Sequence, residues 1–148
     1  MRSIYRPGAI VETWFEFLPE GQRRLCRALM AAVQAAGPDL LPVVKSGHLI
    51  FLQSGVHAVA IAPYSRLVHL QVFNGSAIAT RFPMLRGCGP GLRQMHWRGG
   101  DEVDATLVQA IVRAALAALA RGGERERVSA RRPRASRSAA GPDDAGGR

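Results

Sequence analysis

Regular patterning begins with apolar residues at helical spacing. Over Val11–Leu18, the contacts Trp14, Phe17 and Leu18 predict a short helix. Pro19 breaks it and serves as the first residue of the next helix. That helix, about Glu20–Ala36, carries its stripe on Leu25, Leu29, Ala32, Val33 and Ala36, and Gly37-Pro38 stops it. The period then changes to two. Val43–Ser46, His48–Gln53, His57–Ala62 and Arg66–Phe73 read as short strands, separated by Gly47, Ser54-Gly55 and Pro63–Ser65. Turns this short make an antiparallel meander. Asn74–Thr80 reads as one or two helical turns, and Leu92–Trp97 as a last strand entered through the Gly87–Gly91 loop. Asp104 is a good N-cap for a final helix to about Ala120, with Leu107, Val108, Ile111, Val112, Ala115, Leu116 and Leu119 on its stripe. Gly122-Gly123 should close it. Residues 1–9 form an irregular lead-in and 121–148 an arginine-rich tail without apolar periodicity, expected to be disordered. The fold class is α+β: an antiparallel sheet of about five strands with helices packed on one face.

The hairpin tips also predict which residues share a face. With Ser54-Gly55 and Pro63–Ser65 as tips, His48, Ile50, Leu52, His57, Val59, Ile61, Leu67, His69 and Gln71 fall on one side. Leu49, Phe51, Ala58, Ala60, Ala62, Val68, Leu70 and Val72 fall on the other, the side suited to packing under helices. His57 and His69 would then be diagonal neighbours, roughly 7–8 Å apart. Ile50, Leu52, Val59, Ile61 and Leu67 would form an apolar patch on the open face. A patch of that kind is expected to be covered, by a second copy as a homodimer or by a ligand in preference to the chain's own N-terminal segment around Ile4 and Tyr5, which is too short to hide it all.

Composition bounds these readings. A chain of 148 residues with 47% apolar content supports one domain that buries about two thirds of its unfolded surface, with no staple needed. The only cysteines, Cys26 and Cys88, have no zinc-like spacing and suit a reducing cytoplasm. No signal-peptide pattern opens the chain. No uncharged apolar run of about 18 residues is present, so no membrane partner is expected. The net charge of +9 raises encounter rates with polyanions without choosing one. It divides as +5 over residues 1–120 (twelve basic, seven acidic) and +4 over 121–148 (eight basic, four acidic).

Candidate chemistry is sparse, and no catalytic residue, metal site or cofactor is assigned. Gly87, Gly89 and Gly91, between Arg86 and Arg93, could form an anion-binding turn from successive N–H groups. There is no GK[ST], and a tight connection into a strand is the commoner use of such a turn. Lys45, the single lysine, is either an anion anchor or a carbonyl-reactive amine; as a surface strand residue it needs neither role. His48, His57, His69 and Gln71 would offer polar contacts around the open face. Cys88 lies in the Gly-rich turn without a placeable base, and Cys26 should be packed.

Three stretches carry a family resemblance across about Glu12–Ala120. WFEFLPEGQRRLCRALMAAVQAAGPDL is similar to an opening "L-P then long helix ending in A-x-P". VVKSGHLIFLQSGVHAVAIAPYSRLVHLQVFNG resembles a "V-K-x-G-x-x-x-F … hairpin … A-P … F-x-x-G" middle. LRGCGPGLRQMHWRGGDEVDATLVQAIVRAAL is similar to a Gly-rich turn, arginine, strand and capped helix. Together they resemble the YdhG-like family, a bacterial domain of unknown function (number eighteen-oh-one). Ser46, His48, Pro90 and Gln94 depart from that pattern. The resemblance implies a YdhG-like α+β domain, and part of the family is likened to frataxin with a role in iron delivery. Glu12, Glu16 and Glu20 make a poor iron ridge, being followed at once by Arg23, Arg24 and Arg27. The function expected is therefore an uncharacterised, non-catalytic binding or chaperone-like module for a small molecule or protein. Polyanion binding, nucleic acid included, through the tail and the Gly-rich loop stands second. An enzyme using Lys45 and Gly87–Gly91 stands third.

Overall fold

A computed structural model describes residues 7–131, as α1 Pro7–Glu16, α2 Glu20–Ala36, β1 Leu41–Lys45, β2 His48–Gln53, β3 Val56–Pro63, β4 Leu67–Val72, a 3₁₀ turn Gly75–Ile78, β5 Arg93–Arg98 and α3 Ala105–Arg131. The strands form one antiparallel sheet in the order β1-β2-β3-β4-β5. The α+β meander expected from the sequence is the architecture found.

Two of its turns follow directly from sequence. Ser46-Gly47 and Ser54-Gly55 each place two successive residues at positive φ (54° and 80°, then 50° and 81°). That is the two-residue hairpin turn whose twist matches the strands on either side. It pins the pairing of Lys45 with His48 and of Gln53 with Val56.

Past the second tip the register changes. Leu52 pairs with His57, but Phe51 pairs with Val59, leaving Ala58 as an extra residue, a β-bulge. The bulge overturns one expectation. Val59 and Ile61 face the helices, beside Leu49, Phe51, Leu70 and Val72, and all six are fully buried. Ala60 and Ala62 take their place on the open face. His57 and His69 are not neighbours either: His69 pairs with Ala62, and His57 packs its ring on Phe73, 5.1 Å between centroids.

The core lies between the sheet and the helices. Leu25, Cys26, Leu29, Ala32 and Val33 of α2, with Val108, Ile111, Val112 and Ala115 of α3, cover it. Asp104 caps α3 as expected, its Oδ1 accepting the Leu107 N–H at 3.1 Å.

Three boundaries differ. First, α1 begins at Pro7, inside the expected lead-in, with proline suited to a first helical position; its buried residues are Val11, Trp14 and Phe15, whereas Phe17 is 84% exposed. Arg23 completes the end of α1 by donating to the carbonyls of Phe15 (3.0 Å) and Leu18 (2.8 Å). Second, α3 continues through Gly122-Gly123 to Arg131. Neither glycine takes the positive φ that ends a helix, so both are spanned at a cost of about 1 kcal/mol each. The rest of the expected tail, 132–148, lies outside the described residues. Third, α3 includes Ala105–Gly123, which has the length and hydropathy of a membrane-crossing helix although it is not an uncharged run, since Arg113 and Arg121 lie within it. One side of that helix is buried on the sheet.

Candidate functional site

The helix-free face of the sheet is built by strand parity. On each strand the residues between core positions point to it, giving Lys45 on β1, His48 and Ile50 on β2, Ala60 and Ala62 on β3, His69 and Gln71 on β4, and Gln94, His96 and Arg98 on β5. Read across the strands, Lys45 pairs with His48, Ala62 with His69 and His69 with His96. The result is a transverse row of side chains. Ala60 and Ala62 form its floor, and Ile50 beside them is 6% exposed.

Tyr64 closes the gap above the small residues. It lies just past β3, in a turn held by its N–H on the Leu67 carbonyl (2.7 Å) and by Gln22 of α2, whose amide donates to the Tyr64 carbonyl. Its ring meets His48 at 5.8 Å and His69 at 4.7 Å, both edge to face. His69 in turn lies 5.6 Å from His96. Rings therefore touch continuously from β2 to β5, at separations where aromatic pairs attract. The Gln71 amide reaches the Tyr64 hydroxyl at 3.4 Å, and His69 Nδ1 is buried with no hydrogen-bond partner among the described residues.

All four histidines of the chain are on strands and on this face, and not one residue of the five strands is Asp or Glu. Among the described residues, no group of three or more His, Cys, Asp or Glu is placed to hold a metal ion. The arrangement offers ring edges, amide groups and positive charge to a ligand, with no carboxylate to repel an anion.

The structure thus brings together Lys45, His48, His69 and Gln71, places His57 on the same face but apart, and separates all of them from the Gly-rich loop. Arg93 pairs with Val72 and so projects toward the helix side at the far edge from Lys45. Its Nη1 donates to the carbonyls of Gly89 (3.2 Å) and Leu92 (3.0 Å). Ser76 fastens the same loop, donating from its N–H to Gly91 O (2.9 Å) and from its hydroxyl to Pro90 O (2.7 Å). Here the loop presents carbonyls to donors, the reverse of an anion-binding turn. Gly87, Gly89 and Gly91 thus join the 3₁₀ turn to β5, and a pocket uniting Lys45 with Arg93 does not form.

Sequence reasoning missed Tyr64 and His96. His96 had a legible signal: Trp97 must be buried in a sheet this small, so its neighbour points the other way. Tyr64 had none, because its ring position depends on how the turn folds back. Also unforeseen is an open groove of about 1030 Å³ between the β2–β3 tip, the 3₁₀ turn and α3, with Gln53, Ser54, Asn74, Pro90 and Arg121 among its walls.

Compared with solved structures, the chain is similar to YdhG of Bacillus subtilis, a protein of the DUF1801 family, with a TM-score of 0.53 at 10% identity, over 68% of this chain and 83% of that one. No family model and no curated protein matches the sequence. At that identity the likeness establishes the fold, which is YdhG-like; it assigns no activity.

Proposed function

We propose that this protein is a non-catalytic binding module whose small-molecule ligand lies on the helix-free face, across His48, Tyr64, His69 and His96, with Lys45 and Gln71 at its margins. The observation that carries this reading is the unbroken ring contact from β2 to β5 on a face that no described helix covers. An outer sheet face needs only polar residues to stay in water. A continuous set of imidazole and phenol rings over alanines is more than solvation requires, and few convergent polar groups among rings are what small-molecule sites present. Lys45 and the Gly-rich loop are too far apart, and on opposite sides of the sheet, to act as one catalytic centre.

A thermal-shift screen of small molecules on the full chain tests the reading. Compounds that stabilise the wild type should fail to stabilise Tyr64→Ala, a change at a residue that is 44% exposed and so compatible with folding. Compounds that stabilise both equally would place the site elsewhere, the α3 groove first.

A further inference from the structure

Every histidine in the chain is on one face, and among the described strand residues that face carries charge of one sign only. The groups facing it are Lys45 from β1, His48 from β2, His57 from β3, Tyr64 from the β3–β4 turn, His69 from β4, and His96 and Arg98 from β5. The nearest acids along the chain are Asp101 and Glu102, in the loop after β5, and Asp101 Oδ2 is already accepting the Arg98 N–H at 2.8 Å. From these observations we propose that the ligand of the face is a small phosphate-bearing anion, and that its binding takes up protons through His48, His69 and His96. The proposal rests on the reading that the face is the ligand site.

Protonation changes two properties of this face. A neutral imidazole offers one N–H donor, while a protonated one offers two, each charge-assisted toward an oxyanion. Rings spaced 4.7 to 5.8 Å apart along the row let one multivalent oxyanion meet more than one donor, with Lys45 supplying a permanent charge at the end of the row. Second, imidazole is the side chain that changes charge in the physiological range. The strands supply no carboxylate to balance positive charge on these rings, so an anion bound beside them stabilises their protonated forms. Anion and proton therefore favour each other by linkage, to the same extent in both directions. A small anion fits better than a polymer because the row ends at an edge strand bearing one lysine, not in a basic groove.

The test is isothermal calorimetry of the full chain with inorganic pyrophosphate, in two buffers of different ionisation enthalpy. After correction for pyrophosphate's own protonation, affinity should rise at least tenfold from pH 8 to pH 6, with net proton uptake by the protein, and His48→Gln, His69→Gln and His96→Gln together should abolish that pH dependence. Lys45→Ala, at an exposed position that no packing depends on, should weaken binding at both pH values and leave the pH dependence intact. His57→Gln should change neither. Binding that is equally tight at both pH values, or whose corrected pH dependence survives the triple variant, would overturn proton coupling and leave the face as a ligand site. No pyrophosphate binding at either pH would overturn the phosphate class, and the thermal-shift screen then decides separately whether the face binds anything.

Discussion

Cys26 and Cys88 show how much environment one residue type can carry. Cys26 is fully buried on α2, and burial pushes its thiol from 9.0 up to about 12; Cys88 is exposed in the Gly-rich loop. A thiol reagent at pH 8 should therefore titrate one cysteine per native chain, and both only in denaturant. Two reacting thiols in the native protein would contradict the packing of α2. The sign for stability follows. Because the folded value lies above the unfolded one, the contribution of Cys26 is fully present below pH 9 and is lost as pH rises through 12. Phe51 and Val59 test the core face at the same scale. Phe51→Ala should cost roughly 3–5 kcal/mol, from lost burial and the cavity left behind. Val59→Glu should cost at least about 3 kcal/mol, since a carboxylate would replace a methyl pair in the apolar interior. Denaturant midpoints measure both. A Val59→Glu variant of near wild-type stability would return Val59 to the open face.

Among the elements, the sheet shows what was legible in the residues and what was not. Strand number, strand order, the Ser54-Gly55 tip and a turn at Gly47 could be read because period-2 runs and tight turns are local signals, though Ser46 belongs to that turn and not to β1. The bulge at Ala58 could not, because an extra residue in a strand leaves the local pattern of Val and Ala unchanged. Its consequence is large: one residue reverses the facing of Val59 and Ile61, so that of the expected apolar patch Ile50, Leu52 and Leu67 stay on the open face. Residue size was the neglected signal, as larger Val and Ile are the better choice under helices and alanine the better floor. The end of α3 was misplaced for a related reason, since glycine weakens a helix without forbidding it. The 3₁₀ turn carries its own prediction. A Cβ on Gly75 would lie 2.4 Å from Cβ of Arg93, a contact neither backbone can relieve cheaply. Gly75→Ala should therefore destabilise by about 1–3 kcal/mol by forcing the turn off β5. A neutral result in thermal or chemical unfolding would mean the turn packs more loosely.

For the molecule as a whole, the same sheet divides two tasks. Its helix side holds the large apolar residues and gives stability, and its open side collects every histidine and no acid. Half of that division was readable beforehand: His48, His69 and Gln71 were placed on the open face correctly, because β2 and β4 keep simple parity. The other half needed tertiary structure, since Tyr64 joins the row from a turn and Arg93, a candidate from sequence, is turned away to hold the Gly-rich loop. The proposed ligand site is therefore the ring-lined face and not that loop. Proton–nitrogen NMR of the histidine rings and backbone amides, with pyrophosphate added at pH 6, tests it most directly. The rings of His48, His69 and His96 should shift together and saturate at one concentration, while the amides of Gly87, Gly89 and Gly91 stay in place. Shifts confined to those glycine amides, with the rings unmoved, would contradict it.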